Sequence, residues 1–269
     1  MLLESRIVPR HVLCLFAVLI AVLFAPGARA ADLKVMISAG FFNVYKELGP
    51  AFEASTGHKL VTTRGPSIGD SPEAIPTRLA RGEDADVVIM DGVGVDLLDK
   101  RELTRPGSRI QLAQSFIGMV VRAGQPKPDI STMDSLRKTL LAAKSIAYSD
   151  SSSGTYLSTV GFRKLGVADE IAGKTRKVPG PPSGEPVAAV VARGEAEIGF
   201  QQVAELMHVP GVDLAGTVPA EIQPPTYYVG ALPKNSQHPE AAIALLNFLS
   251  SADAAAAIIK AGLKPLPAH

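Results

Sequence analysis

The segment ADVVIM, Ala85–Met90, is apolar at every position except Asp86. A strand with one wet face alternates polar and apolar residues, whereas an unbroken apolar run belongs to a strand buried on both sides. Burying both faces of a sheet requires helices above and below it. The neighbouring sequence supplies them. LKVMIS (Leu33–Ser38) and KLVTT (Lys59–Thr63) are two further strand-like runs. Between them Phe41, Tyr45, Leu48 and Phe52 recur at near-helical spacing, Gly57 supplies a stop, and Pro50 is expected to kink or divide the helix. EAIPTRLARGE, with Pro76 near its start, and VDLLDKREL (Val95–Leu103) read as helices. The order βαβαβα predicts an α/β fold with a largely parallel sheet.

The same grammar continues to the end. SFIGMVVRAG and SIAYSD read as strands, TYLSTVGFRKLG and EPVAAVVARGE as helices, and AEIGFQQ, VDLAGTVP and TYYVGALP as strands. PEAAIALLNFLSS and ADAAAAIIKAGL form a terminal helix pair. No low-complexity linker or internal repeat interrupts the chain, so two α/β lobes of one compact body fit better than separate beads.

The amino end is of another kind. Arg6, Arg10 and His11 precede an apolar run from Val12 to Ala25, and Ala28 and Ala30 stand at small-x-small spacing. That is the pattern of a cleavable signal peptide over residues 1–30, too short for a spanning helix of about 20 residues. Cleavage removes the one cysteine, Cys14, so no intramolecular disulfide is expected. It also removes Arg6, Arg10 and Arg29 against Glu4, moving the formal net charge from +1 to −1. With no basic stripe, nucleic acid is not an expected partner. No second long apolar run follows, and a soluble mature chain is expected. Tryptophan is absent, which argues against a carbohydrate-stacking site.

Four strand ends carry small polar or amide-rich turns: Ser38-Ala39-Gly40, Arg64-Gly65-Pro66-Ser67, Ser149 to Thr155, and Gln201-Gln202. In open α/β sheets ligands sit beyond the carboxyl ends of parallel strands, where helix amino termini offer unpaired N–H groups to an anion. Serine hydroxyls add donors without net charge. Each turn also has a plainer reading as helix caps and turn residues. In KVPGPPSGEPVAAV, Gly184 allows close backbone approach to a ligand, with a rigid surface loop as the alternative. Other chemistries fit poorly. DGVGVDLL has Gly92 and Gly94 but Leu97 at the third glycine position of a dinucleotide fingerprint. PPSGEP lacks the spacing of a nucleophile elbow. Histidines 58, 208, 238 and 269 are isolated, without metal-ligand spacing, and no cofactor is expected.

In order and spacing the chain resembles the molybdate-type periplasmic solute-binding proteins, the type II binding proteins of ABC transporters. VMISAGF resembles that family's first strand and ligand turn, IPTRLARGEDADVVIM its helix and buried strand, PVAAVVARGEAEIGF its late helix–strand unit, and the final HPEAAIALLNFLSSADAAAAIIKAGL its terminal helix pair. The resemblance implies an α/β, two-lobed type II fold, each lobe a mainly parallel sheet flanked by helices. Two crossing strands, near Ser115–Val121 and Thr226–Leu232, would join the lobes. Lobe 1 would span 31–112 and 233–269, and lobe 2 would span 113–232. It implies a monomer in the periplasm that captures a small anionic ligand between the lobes, presents it to a membrane permease, and carries out no covalent chemistry. The candidate ligand-binding residues are Ser38, Ala39, Arg64, Ser67, Ser152, Ser153, Gly154, Thr155, Gly184, Gln201 and Gln202. The Gly184 turn enters as a backbone donor by resemblance.

The chain departs from that family's pattern in two places. The tyrosine that molybdate binders place after the late strand falls on Gln202. The second ligand turn is longer and contains Arg64, whose fork matches a planar carboxylate. A surface ion pair with Asp70 or Glu73 is the plainer role for Arg64. Gln201 and Gln202 both donate and accept, which suits a ligand with hydroxyl or protonated groups. The departures favour an organic di- or tricarboxylate over molybdate or tungstate. A secreted hydrolase using a cleft serine remains the alternative from another class, to be revived by a histidine within reach of that serine.

Overall fold

The computed structural model describes residues 30–69 and 71–267. The segment read as a signal peptide lies outside them. Strand β1 (Asp32–Ile37) pairs in parallel with β2 (Lys59–Arg64) and β3 (Val87–Asp91). The antiparallel strands β4 (Ile110–Ser115), β10 (Thr226–Ala231) and β11 (Lys264–Pro265) extend this sheet in the order β11-β4-β10-β3-β1-β2. Side chains alternate across it as strand geometry requires. Val35, Ile37, Val87 and Ile89 face α1 (Ala39–Thr56), α9 (Pro239–Ser250) and α10 (Ala255–Lys260). Met36, Val88 and Met90 face α2 (Ile75–Ala80) and α3 (Gly92–Lys100). The apolar run of β3 is thus covered on both sides.

Asp86, the polar exception in that run, is 2% exposed. Its carboxylate accepts the backbone N–H groups of Lys34 at 3.0 Å, Gln237 at 2.8 Å and His238 at 3.0 Å. A buried carboxylate is tolerable with such partners, and here it pins the start of α9 to the sheet.

Pro50 does not divide α1, which runs unbroken over 18 residues. Pro50 and Lys46 both lie on the exposed face, so water can serve the Lys46 carbonyl that the missing N–H leaves free. A proline inside a helix costs about 3 kcal/mol. Burying Phe41, Val44 and Phe52 against the sheet returns roughly 1.5–3 kcal/mol each, so the apolar stripe outweighs the proline.

The second sheet has the order β7-β6-β8-β5-β9. Strands β6 (Ile146–Ser149), β7 (Thr175–Val178) and β8 (Ile198–Gln202) are parallel, β5 (Ile117–Arg122) runs against them, and the edge strand β9 (Val212–Thr217) pairs antiparallel with β5. Met119, Ile146 and Phe200 face α4 (Met133–Ala142), the helical run that starts as α5 (Ser152–Tyr156) and continues through a π turn over Leu157–Gly161, and the short α6 (Ala168–Ile171). Val120 and Ala147 face α7 (Val187–Ala192) and α8 (Val203–Leu206). The fold is the two-lobed α/β type, each sheet keeping a parallel core and taking its antiparallel strands from segments beside the crossings.

The chain passes from the first sheet to the second at Phe116, between β4 and β5, and returns over residues 218–225, between β9 and β10. Gln223, 2% exposed, ties the two crossings together. Its Oε1 accepts the Ile117 N–H at 2.6 Å, and its Nε2 donates to the Val218 carbonyl at 2.6 Å.

Candidate functional site

The carboxyl ends of the parallel strands of both lobes converge on one narrow cavity, of about 30 Å³ with the lobes in this arrangement. From the first lobe come Ser38, Ala39 and Gly40 at the start of α1, Gly65, Pro66 and Ser67 after β2, Asp91 at the end of β3, and Tyr228 of β10. The second lobe supplies Ser149 to Ser153, Gly180 and Pro181, the strand-end pair Gln201 and Gln202, and Glu205 of α8. The lobes touch across the cleft. The Ser152 hydroxyl donates to the Asp91 carboxyl. The Ser183 N–H donates to Glu73 Oε2 at 3.1 Å, and Asn43 Nδ2 to the Ala204 carbonyl at 3.4 Å.

The serines are not spent on capping. Ser38 and Ser151 occupy N-cap positions, yet neither side chain makes the cap hydrogen bond. Ser38 is 5% exposed and its Oγ has no protein partner among the described residues. A buried unpaired hydroxyl is costly, and this one lines the cavity. Ser149 shares its hydroxyl with Ser151 and Ser153, each at 3.1 Å. Gln202 gives Nε2 to Thr226 at 2.9 Å and keeps a buried Oε1 without a partner among the described residues. Thus Ser38, Ala39, Ser67, Ser152, Ser153, Gln201 and Gln202 all face one cavity.

Four expected residues do not line it. Gly154 packs on the strand end instead: a Cβ there would lie 1.7 Å from the Ser149 carbonyl oxygen. Thr155, one residue further along the helix, turns outward and is exposed. Gly184 closes its own loop, its N–H donating to the Gly180 carbonyl at 3.0 Å, and a Cβ there would lie 2.0 Å from the Pro179 carbonyl oxygen. Arg64 sits at the cavity's edge with its guanidinium 4.1 Å from the centroid of the Phe42 ring, a cation–π contact. Its Nε is buried and has no partner among the described residues.

Three groups that the sequence reading passed over bring acid–base chemistry. Glu205 lies in the first turn of α8, and its Oε2 accepts from Gln201 Nε2 at 2.5 Å. Burial, reinforced by the charges of Asp91 and Asp150, pushes its pKa up to about 7, against the pull of Gln201 and Arg64. Asp91, 5% exposed, caps α3 by accepting the Gly94 N–H at 2.8 Å. Burial raises its pKa too, which favours the neutral acid. Tyr228 is 3% exposed, and its hydroxyl makes no hydrogen bond to any described residue. Burial holds its pKa well above the usual phenol value, so it stays a donor. The phenol comes close over the first turn of α1, where a Cβ on Gly40 would lie 1.6 Å from its oxygen. A tyrosine therefore does reach the cavity, from β10 rather than from the end of β8. No sequence motif marks Glu205, although its place three residues after Gln202 put it beside a suspected turn. Among the described residues no histidine lines the cavity to act as a base for its serines.

Comparison with known proteins bears on this geometry. Residues 33–264 match the family of bacterial extracellular solute-binding proteins. An aconitate isomerase from Pseudomonas sp is 51% identical over 237 residues, covering 88% of this chain and 89% of that protein. The molybdate-binding protein of Azotobacter vinelandii is 26% identical over 231 residues, covering 84% and 87%. Among solved structures, the Azotobacter vinelandii periplasmic molybdate-binding protein superposes with a TM-score of 0.67 at 22% identity, covering 88% of this chain and all of that one. A sulfate-binding protein from Mycobacterium tuberculosis gives 0.65 at 21% identity, covering 89% and 88%. At these identities the structures speak for the fold alone. The isomerase corrects one expectation: a chain so similar to an enzyme over most of its length cannot be read as excluding covalent chemistry. The match over residues 33–264 and the two-lobed fold agree, and the chain belongs to the bacterial extracellular solute-binding protein family.

Proposed function

We propose that this protein isomerises a small unsaturated tricarboxylate, aconitate, in the cleft between its lobes, with Glu205 as the general base. The observation that carries the reading is Glu205 itself: a carboxyl whose pKa burial pushes up to about 7, in a cavity it shares with Asp91, Asp150 and a set of serine hydroxyls and glutamine amides. A site that only captures an anion gains nothing from a buried acid facing it. A proton-transfer catalyst needs a base whose pKa lies near the working pH. The 51% identity to an aconitate isomerase supports the substrate.

The chemistry follows from the substrate. Aconitate is propene-1,2,3-tricarboxylate, and its methylene protons are acidified by both the adjacent carboxylate and the double bond. Glu205 takes one of them. The C–H bond breaks, the Glu205 O–H bond forms, and the electron pair spreads over three carbons. Return of the proton to the other terminal carbon breaks the O–H bond and moves the double bond. The skeleton bears one carboxylate on each carbon, so the product is again aconitate, of cis or trans geometry according to how the bound anion is twisted. No oxidant, cofactor or water is consumed. In this scheme Ser38, Ser67 and the Ser149–Ser153 turn hold the carboxylates. Tyr228 donates to the oxygens on which charge grows, and Arg64 supplies nearby positive charge.

Molybdate capture is the second reading, favoured by the hydroxyl-rich lining and the fold. It leaves Glu205 without a task. The mature chain would work in the periplasm, starting near Ala31, as amino-terminal sequencing of the secreted protein would show. The reading is tested by incubating the purified protein with cis-aconitate and separating the isomers by chromatography. The trans isomer should accumulate with the wild type and not with Glu205→Gln. A wild type that binds aconitate without converting it would end the proposal.

A further inference from the structure

Gln201 is buried at the end of β8, 2% exposed, with both ends of its amide engaged. Its Oε1 accepts the N–H of Val187, the first residue of α7, at 3.0 Å. A backbone N–H only donates, so this partner fixes which end of the amide is oxygen. The NH2 end must then face Glu205, and it donates to Oε2 at 2.5 Å. Gln202 next door has no such anchor. Its partner is the Thr226 hydroxyl, which serves either end of an amide equally well.

An amide N–H prefers the carbonyl oxygen of a carboxyl, a better acceptor than its hydroxyl oxygen. Gln201 therefore favours Oε2 of Glu205 as the unprotonated oxygen and Oε1 as the seat of any proton the carboxyl carries. Oε1 accepts no hydrogen bond from a described residue, and Glu205 lines the cavity. We propose that Gln201 is a positioning residue that dedicates one oxygen of Glu205 to the protein and leaves the other to take and return the substrate proton. This rests on the isomerase reading for its purpose, while the clamp itself is a property of the free protein.

Other groups act on Glu205 as well. Asp91 from β3 and Asp150 after β6 repel its charge, Arg64 from β2 attracts it, and Tyr228 lies within reach of its field. Of these only Gln201 bonds to it directly, so the Gln201 contribution can be isolated by substitution.

The test is a 13C NMR titration of the Glu205 carboxyl in substrate-free protein, its resonance identified by its loss in Glu205→Gln, combined with the pH dependence of aconitate isomerisation. In Gln201→Met the donor is gone and Glu205 should titrate about one unit higher. The acid limb of kcat should move with it, and kcat at neutral pH should fall about fivefold. Gln201→Glu guards against a folding defect. It keeps an acceptor for the Val187 N–H and the side-chain volume, yet replaces the donor with a second acid, and Glu205 should again titrate upward. A merely structural glutamine would lower stability without moving either curve. An unchanged Glu205 titration in a folded variant of either kind would overturn the clamp. Absence of isomerisation in the wild type would overturn the isomerase reading and leave the titration to judge the clamp.

Discussion

Replacing Glu205 with glutamine should make the protein more stable above neutral pH and leave its stability unchanged in acid. An unperturbed glutamate titrates near 4.5, and Glu205 in the folded protein near 7. Its folded pKa is raised, so between these values the unfolded chain has shed the proton while the folded chain still holds it. The unfolded state then binds fewer protons, and stability falls as pH rises through this window by about 1.4 kcal/mol per unit. Across 2.5 units, from 4.5 to 7, the deficit reaches about 3 kcal/mol and stays constant above. Glutamine has the same shape, cannot ionise, and still offers a carbonyl oxygen to Gln201. Glu205→Gln should therefore match the wild type near pH 4.5 and exceed it by about 3 kcal/mol near pH 8, roughly 6–12 °C in Tm for a domain of this size. Urea denaturation of both proteins at several pH values between about 5 and about 8 measures the difference. An offset independent of pH, or no gain near pH 8, would refute the buried-base argument.

Ser38→Ala should weaken aconitate binding by about 1.5–3 kcal/mol, the worth of a hydrogen bond to a charged group. Calorimetry reads that loss, and Tm should hold or rise because the lost hydroxyl has no protein partner among the described residues. Gly40→Ala should displace the Tyr228 hydroxyl, which a Cβ would approach to 1.6 Å, lowering kcat sharply at a stability cost of about 1–3 kcal/mol. In a thermal-shift panel, cis- and trans-aconitate should raise Tm by mass action while molybdate, tungstate and sulfate do so weakly; a strong molybdate shift would restore the oxyanion reading.

Much of the fold was legible because burial writes periodicity into sequence. The unbroken ADVVIM run demanded helices on both faces, and the structure supplies α1 and α9 on one side and α2 and α3 on the other. Polar turns at strand ends gave the cavity wall, since Ser38, Ser67, Ser153 and Gln201 lie where strand direction alone must bring them. What periodicity cannot show is where a short helix aims one side chain. Glu205 reads as an ordinary acidic residue in a first turn, and only the packing of α8 between the lobes makes it a buried acid. Tyr227 and Tyr228 are adjacent in a strand, and their sequence does not say which faces inward; 37% and 3% exposure decide it. Arg64 failed for a related reason. Phe42, one turn along the facing helix, offers its guanidinium a ring to rest on, away from the cavity wall. The enzymatic character was hidden because the base stands alone, without a motif of fixed spacing.

The central claim is a proton carried by Glu205 from one end of the substrate to the other. It is tested most directly with cis-aconitate deuterated at its methylene carbon, converted by the wild type and followed by NMR. The account predicts that each isomerised molecule has lost one deuterium from that carbon, that deuterium is found on the opposite terminal carbon, and that Glu205→Gln forms no product. Fully isomerised product with both deuterons still on their original carbon would contradict it, because the double bond would then have turned without any proton leaving the substrate.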